Sequence, residues 1–429
     1  MGARRRSALA RILILVAAVW LAGCRGPQSS GIVLRLASTP PGEQMREPFH
    51  AALHRFEQDH PGVRVDVIEM DDDVYQQMGL LTLFVGGTPP DVYFQWGGHL
   101  VRKYAAAGYA LDLTDEFPPE ERARFYPSTW ASCRGESGQI YLWPDSASIT
   151  TVLWYRKSVL REAGIAPPAT WTDLLSACDR LRSRGLVPIA VGNRELWAGG
   201  NFAAAVMAKY AGVERYNRIL SLEPGTRLDD PAFVQALSLL DELRARGALN
   251  QGVNGVGTDE ARSLFAQGRA AMHPIGDWLV SEAKSSEVAD YGAMPLPVMP
   301  GAPGDPHTLL ALTTGYMINR STPHPQECRA LLRHLMSDPV QQNWARNGHL
   351  SAVRAAAPGA EAPEAQRQLL HLLEQSRATA IAPDVGFDQE VSDALLDAIS
   401  LVLGGRSTPA AALAAADRQV RALREAPRR

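Results

Sequence analysis

Short apolar runs alternate with longer amphipathic segments, and this alternation restricts the fold more than any other feature of the sequence. Ile32 to Ala37 is an apolar run that predicts a buried strand. Phe49, Leu53 and Phe56 follow at i, i+4 and i+7, which predicts one face of a helix. Val63 to Val67 then alternates apolar and polar residues, as a half-buried strand does. The order of these elements predicts an α/β lobe with a mostly parallel sheet.

The same alternation continues towards the carboxyl terminus. We expect a helix from about Val74 to Val85 with Tyr75, Met78 and Leu81 on one side. Later expected elements are a strand at 150–155, a helix capped by Thr170, a strand at 186–191, helices at 233–243 and from 258, a Pro-rich loop at 295–303 and a helix at 407–423.

Length and composition exclude several classes of protein. A chain of 429 residues is too long for one simple core, so we expect two lobes. The net charge of −3 does not indicate a nucleic-acid partner.

The spacing of Cys133, Cys178 and Cys328 suits no zinc site, so we expect no metal and no cofactor. Because their number is odd, at least one thiol is unpaired within the chain. We favour buried free thiols, and a Cys133–Cys178 disulfide is the alternative that the sequence leaves open.

The amino terminus has the pattern of a targeting segment. Arg4 to Arg6 precede an apolar run from Ala8 to Leu21, which is shorter than the roughly 20 residues that cross a membrane. Residues 21–24, Leu-Ala-Gly-Cys, resemble the cleavage signal of bacterial lipoproteins. We therefore predict a signal peptide at 1–23, acylation of Cys24, and a flexible tether at 24–31.

Motifs for common catalytic chemistry are missing from the sequence. It contains no G-x-x-x-x-G-K-[ST], no H-E-x-x-H and no G-x-S-x-G. Gly252 to Gly257 is Gly-rich but has the wrong order for a dinucleotide loop. Asp71 to Asp73 lacks the spacing of a calcium loop, and we expect a solvated turn in which Asp73 caps the next helix. A carboxylate pair for glycoside hydrolysis is not excluded, since two acids distant in sequence can meet in space.

Five segments carry a family resemblance. They lie at 52–65, 87–98, 153–171, 264–278 and 291–297. Together they resemble the family-one extracellular solute-binding proteins, the group that includes maltose-binding protein, over nearly the whole mature chain. The ending Trp96-Gly97-Gly98 is most similar to members that serve raffinose-type or other oligosaccharides. Arg156 departs from the family, where Asn usually follows the aromatic pair, and that position is structural.

The resemblance implies a two-lobed, type II periplasmic-binding-protein-like fold with the ligand between the lobes. We expect lobe 1 at 32–146 plus 311–350 and lobe 2 at 149–305 plus 355–429. The implied function is that of a non-enzymatic, monomeric solute-binding lipoprotein of an ABC importer, outside the cytoplasm and anchored to membrane lipid through Cys24. It would bind a carbohydrate, in particular an oligosaccharide, and deliver it to a membrane permease.

Candidate ligand residues follow from the same alignment and from positions at strand ends. Trp278 and Trp96 are expected to stack on the sugar, and Glu195 and Asp145, which have no obvious ion-pair partner, to hold its hydroxyls. The glycine beside Trp96 is expected to leave room for a broad ligand face. Further candidates are Trp197, Gln95, His99, Ser148, Asp277, Asn201 and Asp384, whereas Trp130, Trp154, Trp171 and Trp344 are expected in the core.

Three other functions stay open on the sequence. A lipid-anchored glycoside hydrolase would turn over an oligosaccharide rather than only bind it. A binding protein for a non-sugar such as glycerol phosphate or a polyamine would need a different site; a phosphate ligand would require several free Arg or Lys in the cleft. A sensor that presents its ligand to a kinase is not distinguished from an importer subunit by sequence.

Acylation at Cys24 has a direct test. Labelled fatty acid should enter the wild-type protein in bacterial cells, and Cys24→Ala should abolish labelling because it removes the sulfur that carries the chain. Membrane fractionation of the same two strains should show the variant released from the membrane. Label retained by Cys24→Ala would contradict the assignment.

Overall fold

A computed structural model describes residues 31–357 and 359–425 of the chain. The predicted signal peptide, Cys24 and all but the last residue of the tether lie outside the described residues. Within these residues, nine strands form one mixed sheet. They are β1 (Ile32–Ser38), β2 (Val63–Glu69), β3 (Val92–Trp96), β4 (Trp143–Arg156), β5 (Val187–Ile189), β6 (Ala270–Ile275), β7 (Tyr291–Met294), β8 (Leu309–Ile318) and β9 (Thr379–Ala380).

Helices cover the sheet and connect most of its strands. Within the described ranges, none is both long enough and apolar enough to cross a bilayer. They are α1 (Arg46–Asp59), α2 (Asp72–Val74), α3 (Leu80–Val85), α4 (His99–Ala106), α5 (Pro119–Arg122), α6 (Lys157–Ala163), α7 (Trp171–Arg182), α8 (Trp197–Ala211), α9 (Val213–Leu220), α10 (Pro231–Ala245), α11 (Thr258–Ala266), α12 (Leu279–Glu282), α13 (Ser285–Val288), α14 (Pro325–Leu335), α15 (Asp338–Arg346), α16 (Glu364–Gln375), α17 (Pro383–Gly386), α18 (Gln389–Leu403) and α19 (Pro409–Glu425).

The sheet is mixed, which corrects the expectation of mostly parallel strands. Its order is β2-β1-β3-β8-β4-β6-β5, with β7 added to β4 and β9 to β8. The predicted strand-helix-strand unit at the amino terminus does pair in parallel, as β1 with β2 and β3. The antiparallel pairings all involve β4 or β8. The hydrophobic pattern within a strand does not predict which distant strand it pairs with.

The longest strands run through the middle of the molecule. Residues of β4 pair with β8 from Trp143 to Thr151 and with β6 from Val152 to Tyr155. The pairing with β8 shifts register twice, between Pro144 and Ser146 and between Ile149 and Thr151. Such irregularities bend a strand and increase its twist. A single bent strand therefore belongs to both halves of the sheet.

Buried apolar residues form separate cores on the two sides of this strand. The first core takes residues from 34 to 143 and from 316 to 356. The second takes mainly residues from 153 to 312 and from 380 to 420. A third, smaller core surrounds Trp154, Phe265 and Leu369. Trp154, Trp171 and Trp344 are fully buried as expected, while Trp130 is only partly buried against the first core.

The helical segment after β2 does not bury the set of side chains that the sequence predicted. A π-helical turn, Tyr75–Gly79, joins α2 to α3 and adds a residue to the turn. Tyr75 and Leu80 are consequently buried, whereas Met78 is 70% and Leu81 43% exposed. The spacing of a regular helix, which placed Tyr75, Met78 and Leu81 together, fails at this turn.

The three cysteines of the described segment are buried and free. Burial raises the pKa of the Cys178 and Cys328 thiols to about 12, so both stay protonated and unreactive. The interpretation as small buried residues is confirmed, and the Cys133–Cys178 disulfide is not formed.

Candidate functional site

A cavity of about 380 Å³ lies where the three cores meet. Phe49 of the first core, Val385 of the second and Ile275 of the third all line it. The ends of β1, β3 and β6 open into it, as strand ends do in α/β sheets. Nine of the predicted ligand residues line this one cavity: Trp96, Asp145, Ser148, Glu195, Trp197, Asn201, Asp277, Trp278 and Asp384.

Trp96, the last residue of β3, is partly exposed to the cavity. Its indole packs edge-on against Phe94 and Tyr75, with ring centroids 5.1 and 6.0 Å away. The glycine beside it has a different role from the one expected. A Cβ on Gly97 would lie 2.5 Å from both Ser132 Cβ and Thr313 O, so glycine permits close packing of the chain rather than making room for a ligand.

Trp197 and Trp278 form a second aromatic group on the cavity wall. Their ring centroids are 6.0 Å apart with planes at 52°, and both indoles are partly exposed. Trp278 follows the buried strand β6, and its ring occupies the space where a side chain on Gly276 would stand. Trp197 opens α8 directly after Leu196, whose φ of 67° is unusual for a residue other than glycine.

Asp145 has ion-pair and hydrogen-bond partners that its sequence neighbours did not indicate. His349 Nε2 lies 3.2 Å from Asp145 Oδ1, and Gln341 Nε2 donates to the same oxygen at 3.1 Å. Burial opposes the charged form of His349, but the carboxylate of Asp145 outweighs burial and raises the pKa of the imidazole. Within the described ranges no donor is bonded to Asp145 Oδ2.

Asp277 and Ser148 contact each other beneath Trp278. Ser148 Oγ donates to Asp277 Oδ1 at 2.6 Å across the junction of β4 and β6. Burial raises the pKa of Asp277 to about 6, and the Ser148 hydroxyl opposes that shift. This carboxyl therefore changes charge near neutral pH.

Glu195 fixes the start of a helix as well as lining the cavity. Its Oε2 accepts the backbone N–H of Thr258 at 3.1 Å, and Oε1 pairs with Arg194 at 2.9 Å. The expectation that Glu195 and Asp145 lack ion-pair partners is therefore wrong for both. Helix α11 begins at Thr258 with Gly257 as its N-cap, and the negative charge of Glu195 suits this helix end.

The structure does not bring Gln95 and His99 to this cavity with the other predicted ligand residues. Side chains alternate along a strand, so Gln95 points away from the face that carries Phe94 and Trp96. Its Oε1 accepts the backbone N–H of Trp96 at 3.0 Å. His99, in the first turn of α4, lies 3.6 Å from Asp388 instead.

Several cavity residues were missed by the sequence analysis. Asp72 and Asp73 line the cavity, and the N-cap of α2 is Asp71, not Asp73 as expected. They follow β2, so the rule that strand ends face the cleft would have found them. Asp259 and Glu282 also line the cavity, and Arg262 bonds to both, at 2.8 and 3.3 Å.

The deepest polar groups lie beside β6 and α8. His273 Nδ1 lies 2.8 Å from the carbonyl oxygen of Ala190, and burial lowers the pKa of this imidazole to about 4. Burial raises the pKa of Asp384 to about 7, and the amide of Asn201 opposes the shift. Among the described residues, no group of three or more His, Cys, Asp or Glu is arranged to hold a metal ion.

The fold and this cavity define a class of protein: two-lobed α/β chains whose cleft carries aromatic and hydrogen-bonding side chains. The sequence model of the family described as bacterial extracellular solute-binding protein matches residues 37–342. Because the match covers more than half of the chain, the protein belongs to that family.

Individual relatives agree with the family assignment. An uncharacterized ABC transporter extracellular-binding protein of Pyrococcus horikoshii is 26% identical over 259 residues, which is 59% of this chain and 58% of that relative. The chain thus spans less than two thirds of the relative's length. A chitin oligosaccharide binding protein has a similar structure, with a TM-score of 0.81 at 20% identity over 92% of this chain and 99% of its own.

Maltose-bound MalE3 of T. maritima is also similar, with a TM-score of 0.77 at 22% identity over 92% of this chain and all of that chain. At such identities the likeness establishes the two-lobed fold. The predicted family and the predicted type of fold are confirmed.

The raised pKa of Asp384 predicts a pH-dependent gain in stability for Asp384→Asn. The folded pKa of about 7 exceeds the unfolded value of 3.8, so ionisation destabilises the folded state progressively from about pH 4 to pH 7. Since one pH unit is worth about 1.4 kcal/mol, the variant should be more stable by about 4 kcal/mol near pH 8 and unchanged near pH 4.

Urea denaturation of the unliganded protein across this pH range measures the effect. Asp397→Asn is the matched control, because Asp397 is exposed on α18; it should change stability by less than about 0.5 kcal/mol. A gain for Asp384→Asn that does not grow with pH would contradict the assignment.

Proposed function

We propose that this protein is the extracytoplasmic solute-binding subunit of an ABC importer and that its solute is a carbohydrate, in particular an oligosaccharide. The observation that carries the proposal is the presence of three partly exposed tryptophans, Trp96, Trp197 and Trp278, in one cavity with carboxylates. Indole faces stack on the C–H-rich faces of sugar rings, and carboxylates accept hydrogen bonds from hydroxyls. The chitin oligosaccharide and maltose proteins of similar fold support the sugar class.

Delivery would follow from closure of the two lobes over the solute. The division into 32–146 plus 311–350 and 149–305 plus 355–429 is supported by the separate cores on the two sides of β4. Closure would bury the sugar between these cores, and the closed, monomeric protein would be recognised by the transmembrane subunits of the permease. Acylation of Cys24 would hold the protein at the cell membrane, in the periplasm of a bacterium with an outer membrane.

The charges of the cavity disfavour a phosphate as the solute. Arg194 is paired with Glu195 at 2.9 Å and with Glu260 at 3.4 Å. Arg262 is likewise paired with Asp259 and Glu282. A phosphate would need Arg or Lys side chains that are not already neutralised. Glycerol phosphate therefore fits this cavity less well than a sugar does.

Trp278→Ala tests the proposed site. After a thermal-shift screen against a sugar library, calorimetric titration of the best sugar should show binding weakened by about tenfold to several hundredfold, because each 1.4 kcal/mol of lost contact is tenfold in affinity. Trp130→Ala removes a tryptophan outside the cavity lining and should lower stability without changing affinity.

Unchanged affinity in a folded Trp278→Ala variant would remove this residue from the site. Chromatographic analysis of the same sugar after long incubation distinguishes binding from hydrolysis. Cleavage products would contradict the proposal of a non-enzymatic binding protein.

A further inference from the structure

The described lining of the cavity contains many more acidic than basic side chains. It contains nine carboxylates, two arginines, two histidines and no lysine. A neutral sugar does not require such an excess of acids, since amide groups also hydrogen-bond to its hydroxyls. The distribution of the charges indicates what the excess serves.

The cationic side chains of the cavity already form ion pairs with acidic side chains. Arg194 and Arg262 bind Glu195, Asp259 and Glu282, and His349 binds Asp145. Five cavity carboxylates have no ion-pair partner among the residues that the structure describes. They are Asp71, which caps α2, and Asp72, Asp73, Asp277 and Asp384.

Acidic side chains of the cavity also lie close enough to affect one another's pKa. Burial first, and then the charges of Asp71, Glu195 and Asp259, raise the pKa of Asp73. Burial raises the pKa of Glu282 to about 7, an effect to which Asp72 contributes. Each of these carboxylates is therefore destabilised in the unliganded protein, and a positive charge placed between them would relieve the repulsion.

Buried acceptors without a partner lie on the same wall of the cavity. Because His273 Nδ1 donates to a carbonyl oxygen and the ring is neutral, its Nε2 is an acceptor, and it is buried without a donor. Asn201 Oδ1 and Asp384 Oδ1 are also buried without a donor in the described part of the chain. His273 is 1% and Asn201 4% exposed. Buried polar atoms normally have partners, so these acceptors point to a donor-rich group in the solute.

We propose that the solute carries a protonated amine, so that the site takes an amino sugar or an oligosaccharide that contains one. This inference rests on the carbohydrate-binding function proposed above. An ammonium group supplies three donors and no acceptor, and it brings the positive charge that the unpaired carboxylates lack. The tryptophans retain their stacking role, and a cation close to an indole face gains a further attraction. Neutral sugars supply the donors without the charge, and acidic sugars add to the repulsion.

A screen of matched sugars tests the inference. The sets are glucosamine, N-acetylglucosamine and glucose; galactosamine, N-acetylgalactosamine and galactose; and the β-1,4-linked dimers of the glucose series, with spermidine as an amine that is not a sugar. Thermal shift near neutral pH and low salt ranks them, and calorimetry then measures the best set. We expect the amine to bind at least about tenfold more tightly than its acetylated and hydroxyl counterparts. High salt should reduce this advantage.

A matched pair of variants locates the effect. Asp72→Asn should lower the preference for the amine severalfold while changing the affinity for the hydroxyl counterpart little. Asp66→Asn, which removes an exposed carboxylate on β2 outside the cavity, should leave the preference unchanged.

The outcomes separate this inference from the function on which it rests. A best ligand that lacks an amine would overturn the inference and leave the carbohydrate-binding function in place. Binding of spermidine without any sugar, or no sugar binding at all, would overturn both. An amine preference that neither Asp72→Asn nor high salt alters would overturn the electrostatic basis of the inference.

Discussion

Backbone hydrogen bonds between β4 and β8 join the two halves of the sheet, and every wall of the cavity depends on them. Strand β3 is added to β8 on one side, and β6 and β7 are added to β4 on the other. The first and second cores therefore lie on opposite sides of one antiparallel pair. Ser148, in the middle of β4, and Asp277, just after β6, meet at this junction. The pairing of β4 with β8 and β6 therefore determines where these two candidate ligand residues lie.

Several interactions that oppose stability lie at the cavity. Burial raises the pKa of Asp72, Asp277 and Glu282, so each costs free energy when it ionises. Leu196, between Glu195 and Trp197, has a left-handed backbone conformation that favours glycine. Sequences depart from local consistency mainly at functional sites. The described cavity has acids without ion-pair partners and buried acceptors without donors. These groups are expected to find their partners when a solute binds.

The sequence predicted those features that local pattern or family motif encodes. The strand that became β6 and the position of Trp278 at its end followed from a buried run and the motif Gly276-Asp277-Trp278. The pairing of distant strands could not be predicted, because no local sequence pattern indicates that β8 is the partner of β4. The π-helical turn was not predicted either, because the prediction assumed the regular period of an α-helix and this turn changes that period. Gln95 lies outside the cavity because side chains alternate along β3, a rule that the prediction did not apply to neighbouring candidates. The ion pair of Asp145 depends on His349, which only the fold brings near, whereas the partner of Glu195 is its sequence neighbour Arg194 and was overlooked.

A crystal structure of the protein with the best-binding sugar tests the central claim, that the cavity between the cores is the solute site, most directly. We expect density for the sugar in this cavity, with ring faces against Trp96 or against the pair Trp197 and Trp278, and with its donor groups at Asp72, Asp277 or Asp384. Sugar bound elsewhere on the surface, with the cavity filled only by water, would contradict the claim.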